Sequence, residues 1–245
     1  MSIAYNSTNV QGVTYNGTNV QSITYNGVEV WRKTPPFLVR MRYDANSSTH
    51  VKDLVGGYTI TTYTGGAVPA AADPFGGNEA LNLNNEYIFY GGSKSVLGDK
   101  TTVCTWVKYF KEGQNFILFN DSFPCRAIFT EENDSAIATV NDSIGNIWSV
   151  ATFGYKPPIN KWLFLEVNTD EDLARVFING NLLATKTLSQ LRTVNFYKKS
   201  NQTMIWGGTR HADISRNKLH GAIYDFCILD GIWHTKNYNV PTKYI

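Results

Sequence analysis

From Phe37 onward, no stretch of this 245-residue chain keeps a helical period for three turns. The sequence offers instead short apolar or alternating runs, each broken by Gly, Asn, Asp or Pro. They include 37-FLVRMRYD, 58-YTITTYT, 80-ALNLNNEYIFY, 101-TTVCTWVKYF, 116-FILFN, 126-RAIFT, 136-AIATV, 146-NIWSVATF, 161-KWLFLEV, 174-ARVFING and 221-GAIYDFCILD. Strands this frequent, with turn residues between them, predict an all-β fold of two stacked antiparallel sheets. The roughly 200 residues involved exceed the ~100 of an immunoglobulin-type sandwich and suit a jelly roll. One short helix, over Leu188–Arg192, is the single helical candidate, and it reads equally as a turn.

Composition narrows the class further. Charged residues make up 17% and the formal net charge is +2, while aromatics reach 13%. Such a chain has ample apolar surface to offset the entropy of ordering, so it is not disordered. It lacks the basic stripe of a nucleic-acid binder and any apolar run long enough to span a membrane. No apolar segment follows Met1 in the manner of a signal peptide, so synthesis in a cytoplasm without export is expected. Cys104, Cys125 and Cys227 are odd in number and far apart, which predicts reduced thiols rather than a disulfide framework.

The first thirty-one residues repeat every ten: SIAYNSTNVQ, GVTYNGTNVQ, SITYNGVEVW. Each unit sets Asn6-Ser7, Asn16-Gly17 or Asn26-Gly27 between two β-prone runs, and Asn-Gly is the strongest local signal for a type I′ hairpin. With the turns placed there, Ile3, Tyr5, Val10, Val13, Tyr15, Val20, Ile23, Tyr25 and Val30 fall on one face. Ala4, Asn9, Thr14, Asn19, Thr24 and Glu29 fall on the other, which should face water. A ribbon with one apolar face must bury it elsewhere. Residues 1–34 are therefore expected to attach or oligomerise the protein, with Ile3, Tyr5, Val13, Tyr15, Ile23 and Tyr25 as contact residues. A second domain spans 36–245, after a stiff Arg32-Lys33-Thr34-Pro35-Pro36 linker.

In this second region the residues carry a resemblance. The segments 37-FLVRMRYDANSSTHVKDLVGG, 75-FGGNEALNLNNEYI, 101-TTVCTWVKYF, 160-NKWLFLEVNTDEDLARVFINGNLLAT and 204-MIWGGTRHADISRNKLHGAIYDFCILDGIWHTKNYNVPT occur in order. Together they resemble the laminin G-like (LamG) branch of the concanavalin A-like lectin/glucanase superfamily. The final NYNVPT is similar to the closing phrase of LamG-like domains in bacteriophage virion proteins, and the N-terminal Y-N-G-T-x-V units resemble repeats of phage tail and fibre proteins. The resemblance implies a jelly-roll sandwich. Independently, Asn179-Gly180 predicts another type I′ turn. In 221–230, strict alternation would set Ile223, Asp225, Cys227 and Leu229 against Tyr224, Phe226 and Ile228, with Asp225 a structural carboxylate near a strand end.

Because glucanases share the superfamily, the resemblance leaves room for a catalytic carboxylate pair. A retaining mechanism needs two carboxyl groups about 5–5.5 Å apart. The nearest approach is 166-EVNTDED, with Asn168 where a middle Asp belongs and Asp170, Glu171 and Asp172 reading as a solvated turn. No serine-hydrolase, zincin, P-loop or dinucleotide motif is present, so no catalytic residue is named. No cofactor is called for. LamG-like domains often hold calcium with loop oxygens, and Asp121, Asp134, Asp142 and Asp213 are available; none forms an ordered ligand loop, so calcium stays an open alternative with no ligands assigned. A glycan needs aromatic platforms beside polar partners, and among Trp148, Tyr155, Trp206 and Trp233 the first three are the candidates.

The expected protein is thus a non-enzymatic phage virion component of fibre, decoration or receptor-binding type. Its partners would be copies of itself in a trimer or other symmetric oligomer, other virion proteins, and host-surface polysaccharide, without nucleic acid or membrane. The alternatives are a purely structural capsid, collar or tail component and, more distantly, a glycan-cleaving enzyme.

Overall fold

The computed structural model describes residues 13–15, 18–55, 59–62, 70–83, 88–91, 100–110, 115–121, 126–132, 135–141, 147–153, 158–170, 173–187, 203–206 and 220–240. Ile3, Tyr5, Tyr155 and the 188–192 helix candidate lie outside them. Among the described residues there is no helix. The strands are β1 (Val13–Tyr15), β2 (Thr18–Val20), β3 (Ser22–Tyr25), β4 (Val28–Arg32), β5 (Phe37–Tyr43), β6 (Val51–Asp53), β7 (Thr59–Thr62), β8 (Ala70–Ala71), β9 (Ala80–Asn82) and β10 (Ile88–Gly91). They continue with β11 (Thr101–Tyr109), β12 (Asn115–Asp121), β13 (Arg126–Glu132), β14 (Ser135–Asn141), β15 (Ile147–Phe153), β16 (Trp162–Thr169), β17 (Leu173–Ile178), β18 (Asn181–Thr187), β19 (Thr203–Trp206) and β20 (Gly221–Asp230).

Seven strands make one antiparallel sheet in the order β15-β14-β13-β12-β19-β10-β7. Nine make the second, β18-β17-β16-β11-β20-β5-β6, with β9 beside β20 and β8 beside β9. This is the two-sheet, all-β architecture that the run of short strands predicts. The nine-stranded sheet has one largely apolar face: Val39, Met41, Val103, Val107, Leu163, Leu165, Val167, Val176, Ile178, Ile223, Phe226 and Ile228 are all buried there. Such a face is what a sandwich encloses between its layers, and we call it the inner face.

The outer face is also covered, by the chain that follows β20. Residues 231–240 run back over the sheet as a strap. Trp233 and Tyr238 from this strap pack with Cys104, Phe164, Phe177, Cys227 and Leu229 of the sheet. The Asn179-Gly180 turn between β17 and β18 holds the strap's far end, because the Tyr238 amide donates to the Gly180 carbonyl at 2.9 Å. Both turn residues take positive φ, 50° and 76°, as a type I′ turn requires. A Cβ on Gly180 would also overlap the Tyr238 carbonyl. Gly180→Ala is therefore expected to cost about 3 kcal/mol, combining left-handed strain with displacement of the strap. Thermal unfolding of the variant checks this as a lowered Tm.

Two features of register differ from a simple alternating pattern. Across β11 and β20, Cys104 faces Cys227 but Trp106 faces Tyr224, so β20 carries an extra residue opposite Thr105. Asp225 sits at this bulge with φ 51°. The bulge puts Tyr224 and Cys227 on the same, outer face and sends Ile223, Phe226 and Ile228 inward. Alternation across 221–230 thus fails at Asp225, which lies in mid-strand rather than near a strand end.

In the N-terminal hairpins, β1 pairs with β2 with Tyr15 opposite Thr18 and Val13 opposite Val20, the register that a turn at 16–17 dictates. In the third unit Tyr25 faces Val28, across an Asn26-Gly27 turn with φ 49° and 80°. A bulge then sets Ile23 opposite Trp31 instead of Val30. The face assignment also fails in this unit. Glu29 is 2% exposed while Tyr25 is 69% exposed. The reason is tertiary: the hairpin docks on the strap through its polar side, and the Glu29 amide donates to the Asn237 carbonyl at 2.9 Å.

Candidate functional site

The outer face of the nine-stranded sheet divides into a polar end and an aromatic end, with an ion-paired cluster between. Alternation along β11 and β16, neighbours in register, places Asn168, Glu166, Phe164 and Trp162 beside Thr102, Cys104, Trp106 and Lys108.

At the polar end, Glu166 and Asn168 have no exposure. One Glu166 oxygen accepts from Asn168 Nδ2 at 2.9 Å; the other accepts from the Tyr238 hydroxyl at 2.9 Å and meets His234 Nδ1 at 2.6 Å. Asn168 Nδ2 also donates to the His234 carbonyl at 2.8 Å, and its own oxygen accepts from Arg175 at 3.3 Å. Arg175 in turn donates to Asp170 at 2.9 Å. The Tyr238 ring stacks on His234, and burial, with Glu166 next to it, holds the Tyr238 hydroxyl well above the ordinary tyrosine range. A carboxyl group placed this deep persists because each oxygen is engaged. Glu166, the first acid of the 166–172 run, is a structural hub with no face open to a sugar.

Between the two ends, Asp225 is fully buried and bridges two arginines of β5. Arg40 donates to it through Nε and Nη2, both at 2.8 Å, and Arg42 through Nη2 at 2.8 Å. Burial pushes the Asp225 carboxyl up, but the hydrogen bonds from Arg40 and Arg42 prevail and leave it below the usual value. The guanidinium groups also lie over rings, Arg40 over Phe37 at 5.0 Å and Arg42 over Tyr224 at 5.1 Å.

At the aromatic end, Ala80 and Ala222 form a floor with no exposure, and half-buried Phe75, Trp106, Phe110 and Trp162 pack around it and Tyr224. Phe75 is delivered by a loop wound on Asp73, whose carboxyl accepts from the amides of Phe75 (2.8 Å) and Gly77 (3.1 Å). It meets Trp106 and Tyr224 edge to face, at 5.5 and 5.8 Å between centroids. Lys108 Nζ lies 5.7 Å from the Trp162 ring centre and 5.9 Å from that of Phe110. On the other flank, Arg42 stands 3.9 Å from the exposed carboxyl of Glu79. Rings, two cations and an exposed carboxyl thus share one surface.

Of the three glycan candidates named from sequence, Tyr155 lies outside the described residues and the other two lie on strands of the seven-stranded sheet. Trp148 lies on β15, the edge of the seven-stranded sheet, and Trp206 on β19, with β14, β13 and β12 between them. At ~4.8 Å per strand, their two strands lie about 19 Å apart across the sheet. Trp233 is buried in the strap. Val13, Tyr15, Ile23 and Tyr25 lie on the N-terminal hairpins. Asp121 ends β12, whereas Asp134, Asp142 and Asp213 lie outside the described residues, among which no group of three or more His, Cys, Asp or Glu could hold a metal ion. Cys104 and Cys227 are buried thiols without a disulfide, facing each other across β11 and β20. Sequence reasoning missed Trp162 and Lys108 as a surface, although 161-KWLFLEV and 101-TTVCTWVKYF contain them in alternating positions.

This fold has known counterparts. The chain is similar to domain 4 of AbnA, a GH43 extracellular arabinanase from Geobacillus stearothermophilus, solved in complex with arabinotriose. Identity there is 18%, with 82% of this chain and 96% of that one covered and a TM-score of 0.57. It is similar to the binding domain of botulinum neurotoxin serotype C1, at 15% identity over 81% of this chain and 49% of that one, with a TM-score of 0.59. The binding domain of botulinum neurotoxin DC in complex with SialylT follows at 13% identity, 81% and 48% coverage and a TM-score of 0.57. The chain spans about half the length of these neurotoxin domains, and at such identities the likeness is one of fold. Among curated proteins none matches. The family model of the concanavalin A-like lectin/glucanases superfamily matches residues 76–232, more than half of the sequence. The chain belongs to that superfamily.

Proposed function

We propose that this protein is a non-enzymatic adhesion component of a bacteriophage virion, of fibre, decoration or receptor-binding type, whose sandwich holds host-surface glycans. The observation that carries the reading is the aromatic end of the outer face. Trp162, Phe110 and Trp106 offer ring surface, and Lys108, Arg42 and Glu79 supply donors and an acceptor at its margin, the chemistry that a sugar ring and its hydroxyls need. The AbnA domain was solved with arabinotriose and the neurotoxin DC domain with SialylT. Cell entry of botulinum neurotoxin type C depends on interaction with two ganglioside molecules. These relatives lend support by analogy of fold.

The absence of catalysis is part of the proposal. Glu166, the first acid of the glucanase-like run, is consumed by Asn168, His234 and Tyr238. The N-terminal repeat would fix the protein in the particle after synthesis in the host cytoplasm, and several copies would make weak binding adequate. No metal is required, so chelation with EDTA should leave binding unchanged. The test is titration of immobilised host-envelope polysaccharide with wild type and Trp162→Ala. Loss of this half-buried ring should weaken binding roughly tenfold, ~1.4 kcal/mol, with the protein still folded and its Tm lowered only modestly. If wild type retains no glycan, the purely structural role replaces adhesion.

A further inference from the structure

We propose that the third repeat unit is an adapter: residues 22–32 close onto the sandwich as a latch around Glu29, leaving the first two units as the arm. The three units are not equivalent. Glu29 stands where Asn9 and Asn19 stand in the others, Trp31 where Gln11 and Gln21 stand, and Arg32 where Gly12 and Ser22 stand. The structure gives these departures a common purpose.

Glu29 is buried against the strap, its amide bonded to the Asn237 carbonyl and its backbone bridged in parallel to Tyr238. Arg32 Nε donates to both Glu29 oxygens, at 2.9 and 2.8 Å, and Arg32 Nη2 reaches Thr235 at 3.5 Å. His234 Nε2 lies 3.9 Å from Glu29 on one side, while its Nδ1 meets Glu166 on the other. The latch therefore joins the polar end of the outer face through one shared imidazole. A carboxylate is buried at reasonable cost only when paired, so Glu at this position together with Arg three residues on commits the unit to the docked state. Asn19 is exposed in the second unit, and neither of the first two units carries the Glu–Arg pair.

The consequence is mechanical. Closed, the latch leaves the short segment 33–36 between docked hairpin and β5. Open, residues 22–36 become a tether able to span about 50 Å, against about 13 Å for the closed form. The junction thus sets how far the sandwich stands from whatever holds the arm. The latch stands independently of the glycan reading.

Hydrogen exchange of the full chain tests it, comparing wild type with Glu29→Gln and Arg32→Gln. The latch predicts that amides of 22–32 are protected in wild type. In either variant they should exchange roughly tenfold faster, as expected for loss of a charged hydrogen bond, while β11 and β20 keep their protection. Unprotected 22–32 amides in wild type, or unchanged exchange in both variants, would overturn the proposal. So would equal loosening of β11 and β20, which would make Glu29 part of the core rather than of a latch.

Discussion

Replacing Asp225 with alanine is expected to destabilise the protein by about 3 kcal/mol, since removing one partner of a buried ion pair leaves its counterpart uncompensated. Here two counterparts are left. Arg40 and Arg42 converge on Asp225 with three hydrogen bonds, and the Asp225 side chain has no exposure. Their side chains are 15% and 22% exposed, so partial rehydration keeps the loss at the lower end of the range for such pairs. The effect carries a pH signature. Asp225 is held below its ordinary value of 3.8 in the fold. Its contribution is therefore present above pH 3.8 and is lost as pH falls through the depressed folded value. Urea unfolding at pH 7 should separate wild type from Asp225→Ala by the full amount, and the gap should narrow as pH is taken below 3.8.

A comparably large loss, about 3–4 kcal/mol, is expected for Glu166→Ala. The substitution strands the Tyr238 hydroxyl and His234 Nδ1 in a buried setting and leaves Asn168 Nδ2 with only the His234 carbonyl as acceptor. Because Tyr238 and His234 belong to the strap, the variant should lose the strap before the sheet. Exchange of the Tyr238 amide, which bonds to Gly180, should speed up at denaturant levels where β11 amides are still protected. Glu166→Gln keeps the shape and some of the hydrogen bonds, and should lose less than half as much stability.

Local rules read from sequence reach a definite depth in this chain. Runs such as 101-TTVCTWVKYF and 161-KWLFLEV became β11 and β16 because alternation and turn residues act over a few positions. Asn26-Gly27 and Asn179-Gly180 became positive-φ turns for the same reason. What alternation misplaced depends on partners distant in sequence. Asp225 bulges out of β20 toward arginines more than 180 residues earlier, and no pattern within 221–230 encodes them. Glu29 reads as a solvent-facing residue until His234 and Asn237, some 200 residues on, are brought beside it. The aromatic surface was hidden differently. Trp106 and Trp162 are visible as strand residues, but the register that places Lys108 opposite Trp162 exists only once β11 and β16 pair.

Adhesion without cleavage is tested most directly by incubating the full chain with host-envelope polysaccharide and following bound polymer and new reducing ends together. The account predicts polymer retained by the protein, retention falling roughly tenfold in Trp162→Ala, and no growth of reducing ends with time. Reducing ends that accumulate in proportion to protein would contradict it.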